Sequence, residues 1–204
     1  MKTRSQGKED LIKEIISREL KMFLRVPSAR RSPCQEHPEG FELHRRAQFS
    51  CWSEQTLRSY LNDLERACGS KTNLMTQKYA RMDNLILKIN ASPLIDTIVA
   101  HQCAWQCFMM KKYPGIMSGG RPLSSGEDSA FMTSFETYLK GELETYSDAT
   151  LELLNRDIEA KHAQGINMAE EIYTNLIQDL GYDSLDEAEQ ISLDKKSIKK
   201  SNGD

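Results

Sequence analysis

Apolar residues fall at helical spacing in two long stretches of the chain. Leu11, Ile12, Ile15, Ile16, Met22 and Phe23 share one helix face, after an N-terminal segment, 1–8, that reads as frayed. Leu94, Ile95, Ile98, Val99, Trp105 and Met109 draw the same stripe in the second half. Ser53 is placed to cap a helix whose stripe is Leu57, Tyr60, Leu61 and Leu64 and which Gly69 ends. Ser147 caps a matching helix through Leu151, Leu154 and Ile158 to Gly165. Asn73 opens a helix predicted to run through "LMTQKYARMDNLILKI" to a boundary at Pro93. Asn167, with Glu170 three residues on, resembles a capping box opening "MAEEIYTNLIQDL", and Gly181 suits the left-handed position beyond it. The pattern predicts an all-α fold.

Proline and glycine break the period twice. "LRVPSARRSPCQEHPEGF" and "YPGIMSGGRPLSSGEDS" are expected to be long loops, over 27–40 and 114–130. "SFETYLKGELETYSDATL" combines four carboxylates, three aromatics and a glycine with no obvious period. The end, 188–204, is charged and poorly patterned, and it is expected to be disordered.

The two halves align. Leu11–Ile12 match Leu94–Ile95 and Met22 matches Trp105 at an offset of 83. Arg31 matches Arg121 and Phe41 matches Phe131 at 90. Trp52–Ser53, Thr56–Leu57, Asn73 and Tyr79 match Tyr146–Ser147, Thr150–Leu151, Asn167 and Tyr173 at 94, without a gap. Cap residues and aromatics agree as well as apolar positions. The expected architecture is therefore two pseudo-repeated helix–loop–helix–helix units, 9–89 and 92–180, packed as a single domain over 9–187 about a pseudo-twofold axis.

The 204 residues suit such a domain, and an apolar content of 39% with 28% charge is ordinary for a water-soluble chain. A net charge of −3 and a pI of about 5.9 argue against a nucleic-acid backbone as main partner, although Arg30–Arg31 and Arg45–Arg46 give a local basic patch. Five cysteines without a CxxC, no apolar leader and no membrane-length run point to a cytoplasmic protein with free thiols.

"CQEHPEGFELHRRAQFSCWS", "NLMTQKYARM", "GGRPLSSGEDS" and "TSFETYLKGELETYSDATL" resemble the bacterial family catalogued as domain-of-unknown-function 4125. The resemblance covers residues 9 to about 187. It implies no activity. Members of that family are also joined to nucleotidyltransferase-like domains, so it implies an association with such a partner at most. Where the resemblance leads one to expect an aromatic near Lys21, the chain reads "ELKMF".

Several groups could carry chemistry. Glu19 lies in line with the first apolar stripe, and Gln102 lies at the same place in the second. A buried polar pair is expected there, with an arginine or tyrosine satisfying Glu19. The "GGRP" turn offers Arg121 as a fork for a carboxylate or phosphate, but lacks the Lys–Ser/Thr end of a P-loop. Arg31, Arg121, Gln48 and Tyr138, with an aromatic floor from Trp52, Trp105 and Tyr146, are expected to line a cleft between the halves. Glu127, Asp128, Glu136 and Glu142 are the candidates for acid–base work in that cleft. Cys103 and Cys107 at i, i+4 with His101 are a soft-metal pattern or small core residues, and Cys34 with His37 or His44 is a possible nucleophile pair. No cofactor motif is present. Two functions stay open: a binding or accessory module for a small anionic or peptide-like ligand or a catalytic partner, and a small-molecule enzyme using the loop carboxylates.

Overall fold

The structure is a computed structural model and describes residues 6–27, 36–129 and 131–201. Its secondary structure is helical throughout, packed as one domain. The helices are α1 (Gln6–Phe23), α2 (Pro38–Ser50), α3 (Glu54–Gly69), α4 (Leu74–Met82), α5 (Pro93–Lys112), α6 (Pro114–Met117), α7 (Phe135–Leu143), α8 (Asp148–Ala163), α9 (Met168–Asp179) and α10 (Leu185–Ser201). A 3-10 turn, Ser125–Glu127, interrupts the stretch between α6 and α7. No described helix is long and apolar enough to cross a membrane.

The predicted caps form. In their own first turns, the Ser53 side chain accepts from Thr56 N–H, Asn73 from Thr76 N–H and Ser147 from Thr150 N–H. Asn167 accepts from both Ala169 and Glu170, but the Glu170 carboxylate accepts from Lys112 instead of closing a capping box. The apolar stripes face inward: Ile12, Ile15 and Ile98 are fully buried, as are Leu57, Leu64 and Leu151. Each such side chain contributes about 1.5–3 kcal/mol relative to exposure.

α3 and α8 pack against each other at the centre of the domain. α1 lies on α2, α3 and α4, and α5 lies on α7, α8 and α9. Two contacts cross over, α4 on α7 and α9 on α2. Hydrogen bonds recur across this arrangement. Asp63 accepts from Ser147 N at 3.0 Å and the Thr150 hydroxyl at 2.6 Å. Asp157 accepts from Ser53 N at 2.8 Å and the Thr56 hydroxyl at 2.6 Å. Asn73 Nδ2 donates to Met22 O, and Asn167 Nδ2 to Trp105 O.

Four features differ from the sequence expectation. α2 and α7 add a helix where a loop or an aperiodic stretch was read, because their inward positions, Arg45 and Glu142 among them, are polar. α4 stops at Met82 rather than continuing to Ile89. Asn84 takes φ +54°, with Leu85 N donating to Ala80 O and Asn84 N to Arg81 O, a Schellman ending. The linker that follows exposes Leu85 and Leu87. The segment 114–130 is not irregular throughout, since it holds α6 and the 3-10 turn. Finally, the charged end forms α10, not a disordered tail. Leu185 and Ala188 bury against α6, and the Glu189 carboxylate accepts from Gly115 N at 2.6 Å and Ile116 N at 2.8 Å. Arg31 and Cys34 lie outside the described residues.

Candidate functional site

Glu19 sits on the buried face of α1 with 0% exposure. A carboxylate there needs donors, and α2 and α3 supply them. Arg45 grips Glu19 with two guanidinium nitrogens, Nε to Oε2 at 2.7 Å and Nη2 to Oε1. The Tyr60 hydroxyl donates to Glu19 Oε1 at 2.6 Å. The third nitrogen of Arg45 donates at 2.8 Å to both Gln48 Oε1 and Glu142 Oε1. Glu142 also accepts from the Tyr146 hydroxyl at 2.6 Å and, on Oε2, from Lys78 at 2.5 Å. A chain of alternating charge, Glu19–Arg45–Glu142–Lys78, thus runs from α1 through α2 and α7 to α4, all of it buried.

The charges cancel, and each group's protonation follows from its neighbours. Burial alone would push the Glu142 carboxyl up, but Arg45 and Lys78 hold it well below the usual carboxylate range. Burial would lower Arg45 and Lys78, but the adjacent carboxylates keep both above their ordinary values. Burial pushes the Tyr60 and Tyr146 phenols up, reinforced by Glu19 and Glu142. Glu142 is therefore ionised with both oxygens committed. It shapes the field of the site and has no proton to donate.

A cavity of about 340 Å³ opens beside this network, between α2, α5, α7 and α9. Arg45, Gln48 and Glu142 reach it from the network side, and Leu139, Ile172 and Leu176 give it apolar walls. Gln102 and Gln106 project from α5, and His44, Tyr138 and Tyr173 add polar edges. Gly120 and Arg121 approach from the turn after α6. The Arg121 guanidinium carbon lies 4.8 Å from the centroid of the Tyr138 ring, and the Lys78 ammonium lies 3.5 Å from the same centroid. Arg121 Nη1 donates to the carbonyl and hydroxyl oxygens of Thr133. Its other two guanidinium nitrogens make no hydrogen bond to described residues. Gln106 is 8% exposed and lines the cavity.

Of the candidate site residues, Gln48, Gln102, Arg121, Tyr138 and Glu142 come together at this cavity. Trp52 and Tyr146 do not line it. They meet edge to face at 6.1 Å in the core, with Tyr146 acting through its bond to Glu142. Trp105 packs between the main core and the cluster around Met109 and does not line it either. Gln102 and Glu19 are not hydrogen-bonded to each other; Gln102 faces the cavity, and its nearest polar partner is the Met168 sulfur at 3.6 Å. The remaining loop carboxylates hold the backbone. Glu127 closes a capping box with Ser124, and Asp128 accepts from Ser134 N and the Thr137 hydroxyl. Glu136 accepts from Ser125 N and Lys140, and its carboxyl is lowered to about 2, chiefly by the Ser125 backbone. Sequence reasoning missed Lys78, Tyr60, Gln106 and Tyr173. The signal for Lys78 was available, because it sits in line with the buried Leu74, Met75 and Met82 on a short capped helix.

No curated protein and no solved structure matches the chain. The profile of the family described as "Protein of unknown function (DUF4125)" matches residues 9–190, so the chain belongs to that family.

Proposed function

We propose that the chain is a binding module whose cavity between α2, α5, α7 and α9 takes a small anionic molecule, with Arg121 gripping the anionic group. The observation that carries this reading is a set of uncommitted hydrogen-bonding groups around one space. Arg121 is fixed over Tyr138 by one nitrogen while two remain for a ligand, and Gln102 and Gln106 face the same space. At about 340 Å³ the cavity is at the small end of ligand sites. Binding is favoured over acid–base catalysis because Glu127, Asp128 and Glu136 cap backbone and Glu142 is locked between two cations.

Thermal unfolding in the presence of small carboxylates and phosphates tests this. A ligand at about 100 times its Kd adds roughly 2.7 kcal/mol of stability, or about 5–10 °C for a chain of this size. The shift should vanish in Arg121→Ala. A panel that produces no shift, or a shift that Arg121→Ala leaves unaltered, overturns the reading.

A further inference from the structure

We infer that the cavity is the emptied counterpart of the Glu19–Arg45–Glu142–Lys78 network, and that it takes a carboxylate carrying a neutral planar ureido or carboxamide group. This rests on the reading of the cavity as a ligand site.

The inference begins with the recurring hydrogen bonds. The Asp63 and Asp157 pairings are interchanged by an offset of 94, and the Asn73 and Asn167 pairings by 94 on the asparagine and 83 on the carbonyl. The helix contacts α1 on α3, α4 on α7 and α1 on α2 are interchanged with α5 on α8, α9 on α2 and α5 on α7. The same offsets carry Glu142 to Gln48, Glu19 to Gln102, Arg45 to Leu139, Lys78 to Ile172 and Phe23 to Gln106. All five residues on the second side line the cavity.

On one side, a guanidinium bridges two carboxylates and a lysine completes the charge. On the other, the carboxylates are replaced by amides, and the long cations by leucine and isoleucine too short to bridge them. The space that Arg45 and Lys78 fill on the first side is left open on the second. The group that bridges Gln102 and Gln48 must come from a ligand.

Amides rather than carboxylates decide its charge. Gln102 offers an acceptor and two donors, Gln48, whose Oε1 already accepts from Arg45, offers its amide N–H groups, and neither supplies a countercharge. A guanidinium placed there would be a desolvated cation beside Arg45 with no anion of its own. A ureido or carboxamide group is planar, neutral and carries both donors and acceptors, so it matches amide edges. Arg121, across the cavity, takes the carboxylate.

Isosteric probes separate these chemistries. N-carbamoylglycine and guanidinoacetate differ only in a urea against a guanidinium, as do N-carbamoyl-β-alanine and β-guanidinopropionate. Calorimetric titration of the whole chain should show the carbamoyl member of a pair binding at least about tenfold more tightly, the scale expected of one mismatched buried charge. Gln102→Glu restores a carboxylate at the position matching Glu19 and should narrow or reverse that preference. Equal binding within each pair, tighter guanidino binding, or a Gln102→Glu variant with unchanged selectivity overturns the inference while leaving Arg121-dependent anion binding intact. Failure of the carbamoyl compounds while plain anions bind through Arg121 has the same meaning. Absence of any Arg121-dependent binding removes the ligand site itself.

Discussion

Lys78 on α4 donates to Glu142 on α7 at 2.5 Å, with both side chains almost wholly removed from water. The contact crosses between the two halves of the chain and closes the charge chain that begins at Glu19. Removing Glu142 leaves Arg45 and Lys78 buried as cations with one carboxylate between them. Glu142→Gln should therefore destabilise the fold by about 3–5 kcal/mol, read by urea unfolding at neutral pH. Adding Lys78→Met to that variant should recover part of the loss, because it takes away the stranded ammonium. A single variant within about 1 kcal/mol of the parent would mean that the network contributes no more than a surface pair.

The residues of this network also explain which parts of the molecule are legible in sequence. α1, α3, α5, α8 and α9 bury apolar stripes, and α3, α8 and α9 open on side-chain caps of known preference, so both register in the pattern. α2 and α7 do not register. Their inward faces carry Arg45, Gln48 and Glu142, residues that read as solvent-facing when taken one at a time. Those two helices supply the polar side of the cavity, so periodicity finds the walls on α5 and α9 and overlooks those on α2 and α7. Glu19 was legible only because it interrupts an otherwise apolar stripe. α10 was missed for the related reason that its contact with α6 uses two small or apolar residues and one carboxylate within a charged segment.

Acid should act through the same carboxylate. Glu142 is held well below the roughly 4.3 expected of an unfolded glutamate. A depressed native pKa gives stability that is present above the unfolded value and lost as pH falls toward the native one. Unfolding free energy should thus decline below about pH 4, and the decline should be shallower in Glu142→Gln. Tyr60 and Tyr146 set the alkaline side. Their raised pKa values give stability that is complete below about pH 10 and lost as pH rises beyond it. A stability profile that stayed flat from about pH 5 down to about pH 2, the window in which Glu142 should lose its contribution, would contradict the assignment.

Two helices end in the same backbone geometry with different residues. Gly165 ends α8 at φ +68°, with Ile166 N donating to Lys161 O. Lys71 ends α3 at φ +58°, with Thr72 N donating to Ala67 O. A lysine carries a Cβ penalty in this region that glycine avoids. Lys71→Gly should raise stability by about 0.5–1 kcal/mol, measured as a higher urea midpoint with an unchanged m-value. A loss of stability would show that the Lys71 side chain contributes more than its strained backbone costs.

Glu189 links the last helix to the turn that presents Arg121. Its carboxylate takes the first two free N–H groups of α6, at Gly115 and Ile116, and α6 leads within four residues to Arg121. Position 115 tolerates this only as glycine, because a Cβ there would lie 2.8 Å from both carboxylate oxygens. The far end of a glutamate can swing aside, so Gly115→Ala should not unfold the chain; it should expel the carboxylate. Glu189→Ala removes the same two charge-assisted bonds by the other route, and each change should cost about 1–3 kcal/mol. The local consequence distinguishes a latch from a general loss of packing. Amide hydrogen exchange should speed up over residues 113–121 in both variants while α3 and α8 keep the parent's protection. If exchange rises equally across the domain, α10 is a contributor to the core and nothing more. If it rises only around α6, the position of the Arg121 turn depends on the Glu189 carboxylate of α10.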